Sequence, residues 1–135
     1  MKKQLTVCFL AVLTVLALTA CGASSAPPDL TGRWEQSHDE TTSFYQIAEI
    51  TDDAIRVWWH LTADDSEYLY WTGSFVPPET GGRTYTWESV NDSAEARTSS
   101  WARREETMSF TYRNGKLGYI VFMGNLRMSV TLEMK

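Results

Sequence analysis

His38 and His60 are the only imidazoles in the 135-residue chain. Neither belongs to a recognisable catalytic constellation, because a Ser, Cys or Lys nucleophile needs an adjacent base that a third group orients. The chain has no Gly-x-Ser-x-Gly elbow, the strained turn that exposes a hydrolase serine. Zinc-type sites want several His or Cys ligands at set spacings, which two isolated imidazoles do not supply. His38-Asp39-Glu40 and Asp64-Asp65-Ser66-Glu67 offer oxygen ligands for a hard cation but lack the glycine and ligand ladder of a calcium loop. They read as solvated hairpin tips. Asn91-Asp92-Ser93 has the form of a glycosylation sequon and reads as a turn. The expectation is a protein that is not an enzyme, needs no cofactor, holds no metal and acts by binding.

Composition narrows what it binds. The 12 basic residues against 17 acidic ones give a formal charge of −5, and no basic run exceeds Lys2-Lys3 and Arg103-Arg104. Nucleic acid is therefore not an expected partner. Six Trp, six Tyr and five Phe carry too much apolar surface for a disordered chain and must be buried or used. The length suits one domain.

Lys2 and Lys3 precede an apolar run from Leu5 to Leu18. At 14 residues it is shorter than the roughly 20 of a bilayer-spanning helix and reads as a signal-peptide core. It ends in Leu18-Thr19-Ala20-Cys21-Gly22, which resembles the lipobox of bacterial lipoproteins. That resemblance implies cleavage before Cys21, acylation of its Sγ, and anchoring in a bacterial cell membrane or outer membrane with the domain on the extracytoplasmic side. Several acyl chains on one residue meet the requirement for stable anchoring. Residues 1–20 would then be the signal peptide, 21–29 the lipidated Cys and a flexible tether, and 30–135 the folded domain. Loss of Lys2 and Lys3 moves the formal charge from −5 to −7. Cys8 leaves as well, so no disulfide is expected.

From Leu30 onward, period-two alternation recurs between turn signals and no stretch keeps helical spacing over three turns. The reading is all-β, a single antiparallel meander of eight or nine strands. Centring on Asn114-Gly115 pairs Tyr112 with Leu117, Phe110 with Tyr119 and Met108 with Val121. Gly124-Asn125 pairs Met123 with Leu126, Val121 with Met128, Tyr119 with Val130 and Leu117 with Leu132. Both turns place one apolar face inward, which a one-residue slip would invert. Asp52-Asp53 pairs Ile50 with Ile55, Ala48 with Val57, Gln46 with Trp59 and Phe44 with Leu61. A loop centred on Asp65 pairs Leu61 with Leu69, Trp59 with Trp71 and Ile55 with Phe75, leaving Gly73 opposite Val57. Arg83 to Val90 and Glu95 to Arg104 complete the set, the latter anchored by Trp101. Leu30-Thr31-Gly32-Arg33-Trp34 resembles the Gly-x-Trp first strand of the calycins, the group of lipocalins and avidins. The resemblance implies a closed or nearly closed β-barrel, with Arg127 as the late-strand arginine packed on that Trp.

These registers also define a second face. They align Tyr45 with His60, Ile47 with Trp58 and His60 with Tyr70, set Tyr68 beside Thr62, and close the row with Glu49 opposite Arg56. Tyr45, Trp58, His60, Tyr68 and Tyr70 are the expected ligand-binding residues, since rigid amphipathic rings bind at low entropic cost. The same rings could equally be good sheet formers, or a face covered by the tether or the Pro77-Pro78 loop. The expected function is a membrane-anchored, non-catalytic binding module for an envelope protein or glycan. Two alternatives stay open: an acidic inhibitor or exclusion factor acting on a basic envelope enzyme or on phage entry, and a carrier of a small apolar ligand inside the barrel.

Overall fold

A computed structural model describes residues 26–135. Cys21, the expected signal peptide and most of the expected tether lie outside the described residues.

Eight antiparallel strands form one sheet: β1 (Gly32–Gln36), β2 (Phe44–Ile50), β3 (Ala54–Leu61), β4 (Ser66–Ser74), β5 (Thr84–Val90), β6 (Thr107–Arg113), β7 (Lys116–Met123) and β8 (Leu126–Met134). Their order is β4-β3-β2-β1-β8-β7-β6-β5. The meander closes on itself through the β1–β8 pair, so the first and last strands are neighbours. A seam remains between β4 and β5, crossed by the single bridge Gly73↔Asn91. The all-β, nearly closed barrel expected from the alternation is what the chain forms.

Alternation also sets the inside. Trp34, Trp59, Trp71, Trp87, Phe110 and Tyr119 join aliphatic residues of β2, β3, β7 and β8 in one buried cluster, aromatic enough to fill so small a barrel. Trp34 donates its indole N–H to the Leu30 carbonyl at 2.9 Å, and its ring meets Tyr112 edge-on. Arg127 sits exposed opposite Phe122 at the far end of β8, whereas Met134 faces Trp34. The expected packing of Arg127 on Trp34 is therefore not formed.

Every pair expected across Asp52-Asp53 and across Gly124-Asn125 is present. Three readings are corrected. The Glu95–Arg104 strand is instead a four-residue helix, α1 (Ser93–Ala96), followed by irregular chain. Asp92 caps it by accepting the Glu95 N–H, the local bond that makes Asp favourable just before a helix. Secondly, β3 pairs β4 through Val57↔Trp71 and then, beyond a bulge, through Trp58↔Leu69 and Trp59↔Tyr68. Asp64 accepts from the Ser66 N–H and hydroxyl and Asp65 adopts φ 58°, so the hairpin closes in fewer residues than a loop centred on Asp65 requires. Tyr70 is the extra residue of the bulge. Gly73 consequently faces Ile55. Thirdly, the β6–β7 ladder holds only Arg113↔Lys116, Tyr112↔Leu117 and Thr111↔Gly118. Phe110 with Tyr119 and Met108 with Val121 do not pair, because the two strands part.

Candidate functional site

The expected aromatic face is divided by that bulge. Tyr45, Ile47, Trp58 and His60 share the outer surface, with Tyr45↔His60 and Ile47↔Trp58 in register. His60 faces Glu67 rather than Tyr70, and Tyr68 faces Trp59 rather than lying beside Thr62. Tyr68 packs against the core cluster and stacks on Trp101 with ring centroids 4.7 Å apart. Tyr70 turns inward, buried in the core and edge-on to Trp59. A bulge re-aims side chains in this way because it adds one residue to one strand.

What stays outside is largely covered. Tyr45 is buried, with His38 stacked on it at 3.8 Å and His60 tilted against it at 4.8 Å. Burial raises its phenol pKa above the ordinary value. His60 Nε2 lies 3.1 Å from Asp65 Oδ1, while Nδ1 is 3.6 Å from Glu67 and makes no hydrogen bond. Arg33 reaches Glu67 at 3.6 Å, an ion pair joining β1 to β4 across the strands between them. Ile47 is fully buried. Of the expected outer rings, Trp58 and Tyr68 line a hollow, a shallow one shared with Leu69, Ser99 and Trp101. Arg56 faces Glu49 as expected, but its guanidinium binds both carboxylate oxygens of Glu95 on α1, at 2.6 and 3.1 Å.

The parting of β6 from β7 creates the larger opening, a cleft of about 440 Å³. Tyr70, Trp71, Met108 and Tyr119 form its inner wall. Thr107, Ser109 and Thr111 of β6 face Gly118, Ile120 and Phe122 of β7 across it, and Arg103 and Glu105 stand at its rim. Backbone geometry says which groups point into the gap. The residues flanking a two-residue hairpin turn form a hydrogen-bonded pair, and such pairs alternate along an antiparallel ladder. Arg113↔Lys116 and Thr111↔Gly118 are the two of that kind here, so Ser109 with Ile120 and Thr107 with Phe122 would follow. Phe122 donates its N–H to the Tyr70 hydroxyl at 3.0 Å instead of to a strand. The Ser109 and Ile120 backbones have no ladder partner across the cleft.

Its electrostatics suit recognition. Burial pushes the Tyr119 phenol well above its ordinary value and raises that of Tyr70, so both stay neutral donors. Tyr119 donates to the buried Gln46 Oε1 at 2.7 Å. Burial pushes the Glu105 carboxyl up, but hydrogen bonds from its own backbone and from Arg103 outweigh it and hold the pKa low. Arg103, ion-paired to Glu105, lies over the Phe122 ring 5.3 Å from its centroid. Among the described residues no group of three His, Cys, Asp or Glu side chains could hold a metal ion.

Of the expected site residues, then, Tyr70 reaches the cleft, Tyr45, Trp58 and His60 stay together outside, and Tyr68 meets Trp58 only in the shallow hollow beside Trp101. The cleft residues Ser109, Tyr119 and Ile120 were not anticipated, since the Asn114-Gly115 turn signals a hairpin paired along its length. One signal was available: Ile120 and Phe122 are apolar at outward positions whose β8 partners are Ser129 and Arg127. Compared with known protein families, with curated proteins and with solved structures, the chain matches none.

Proposed function

We propose that the protein is a non-catalytic binding module of a bacterial envelope, a calycin-like barrel held on the extracytoplasmic side of a membrane by lipid on Cys21, whose partner enters the β6–β7 cleft. The anchor rests on the Leu18–Gly22 lipobox, and the calycin likeness on the Gly32-Arg33-Trp34 start of a closed meander. One observation carries the choice of site: a 440 Å³ cleft with an aromatic inner wall opens where a hairpin ladder stops short. Concave, mostly apolar sites with a few convergent polar groups are where ligands bind. On the outer face Tyr45 is packed between His38 and His60 and Arg33 is paired with Glu67, which leaves only the shallow hollow of Trp58 and Tyr68 to offer.

Gly118 provides the test. A Cβ built there meets only the carbonyl oxygens of Thr111 and Val130, at 3.7 and 3.8 Å, so Gly118→Leu should fold and fill the cleft from one wall. The full-length protein in detergent, its Gly118→Leu variant and a Trp58→Ala variant are each used for pull-down from envelope extract at low and high salt. The expected result is a partner retained in salt, kept by Trp58→Ala and lost by Gly118→Leu. A partner lost by Trp58→Ala and kept by Gly118→Leu would move the site to the outer face. Loss in salt alone would favour the acidic-surface reading.

A further inference from the structure

We infer that the occupant of the cleft is an extended segment of a partner polypeptide, which adds a strand along the open edge of β6. The inference rests on the binding reading above and names its ligand class. Strands that part in the middle of a barrel leave two rows of backbone donors and acceptors without a ladder. Such an edge is a template for another strand. β6 is paired along its other side with β5, from Thr84↔Arg113 to Val90↔Thr107, so it is held straight and rigid while its β7-facing edge stays open beyond Thr111. The backbone groups of Ser109 and Thr107 are the ones aimed into the gap.

Three further features specify polypeptide. The opposite wall already shows a substituted strand bond, since the Tyr70 hydroxyl takes the Phe122 N–H that a strand carbonyl would otherwise accept. Strand addition puts alternate side chains of the guest on opposite faces. Here one face is the apolar wall of Tyr70, Met108 and Tyr119, and the other is the mouth, where Arg103 and Glu105 offer one charge of each sign. The recognised segment therefore alternates apolar with polar residues. Its length is short, because the opening narrows to nothing at Thr111↔Gly118.

The experiment selects linear octapeptides from a phage-displayed random library on the full-length protein in detergent, then synthesises the selected peptides with free and with alternately N-methylated backbones. N-methylation removes the donors and leaves the side chains in place. Binding by fluorescence anisotropy should fall at least about tenfold on N-methylation, the size of one or two lost hydrogen bonds. It should fall similarly in Ser109→Pro, which removes a cleft-facing N–H and no hydrogen bond to β5, and in Gly118→Leu. Amide exchange at Ser109 and Ile120 should slow when the free peptide binds. Peptides that bind equally well when N-methylated, or that protect other amides, would overturn the inference, as would a library that yields no binder. Protection of Ser109 and Ile120 in the protein alone, rising with its own concentration, would make the occupant a second copy and overturn it too. The dye 8-anilinonaphthalene-1-sulfonate separates this failure from that of the underlying reading. If Gly118→Leu abolishes dye binding while no peptide binds, the cleft remains a site and only the peptide is wrong. If neither dye nor peptide binds, both fall.

Discussion

At the scale of single residues, the interior holds a polar pair among the rings, Tyr119 and Gln46. The Tyr119 hydroxyl donates to Gln46 Oε1, while Gln46 Nε2 has no partner among the described residues. Tyr119→Phe would leave the buried acceptor unpaired as well, at a cost of about 1–2 kcal/mol. Urea unfolding of the two proteins measures it, and an unchanged midpoint would mean that the amide had turned to another donor. A second residue-scale prediction concerns acid. Glu95 accepts from Arg56 and from the Thr72 hydroxyl, and these bonds hold its carboxyl below the ordinary value of 4.5. A depressed folded pKa gives stability that is complete above the unfolded value and is lost as pH falls below about 4.5 through the folded one. Arg56 and Glu95 are each about a third exposed, so screening limits the contribution to about 1 kcal/mol. Glu95→Gln should therefore lower stability by that amount at pH 7 and flatten its decline as pH falls below about 4.5. Parallel stability–pH curves for the two proteins would show that the pair contributes nothing.

At the scale of elements, the closing seam depends on close approach. A Cβ at Gly73 would meet the Ser89 hydroxyl, the Val90 carbonyl oxygen at 2.5 Å and the Trp71 indole nitrogen at 2.9 Å. The Val90 carbonyl is backbone and cannot swing aside, so Gly73→Ala must push β5 away from β4 and strain the Trp71–Ser89 hydrogen bond. The expected loss is about 1–3 kcal/mol, with faster amide exchange at Asp92, whose N–H bonds across the seam to the Thr72 carbonyl. The sequence made Gly73 noticeable as a glycine within a strand, but only the fold says which backbone it must admit. The same division runs through the other elements. Two-residue turns such as Asp52-Asp53 and Gly124-Asn125 set register locally, and their partners could be read off directly. The β3–β4 register depended on an Asp64 side-chain bond and on a bulge at Tyr70, neither of which alternation reveals. Asp92 and Glu95 did carry a helix-start signal in their spacing. The strand reading of Glu95 to Arg104 rests on Trp101 alone, a ring that is half exposed and stacked on Tyr68. The cleft was the least legible feature, because a good turn begins a hairpin without obliging it to stay paired.

For the whole molecule, an up-and-down barrel sends alternate connections to opposite ends. The chain enters at one end, where Pro27 and Pro28 lie beside Asp52, Phe75, Pro77 and Pro78. The β2–β3 and β6–β7 turns share that end. The β7–β8 turn and α1 lie at the other, together with the exposed apolar side chains of Phe44, Trp101, Phe122, Met123 and Leu126. The cleft widens from the Asn114-Gly115 turn toward this far end. If Cys21 is the anchor, a tether of residues 22–29 spans at most about 26 Å, which keeps the entry end against the bilayer and turns the cleft outward to meet its partner. Single-cysteine variants test that orientation, since the processed chain would carry no other free thiol. In liposomes, a bulky membrane-impermeant maleimide should label Asp53→Cys more slowly than in detergent and Asn125→Cys at an unchanged rate. The reverse pattern would place the apolar rim in the headgroup region and make the bilayer, rather than a partner polypeptide, the surface that the open end meets.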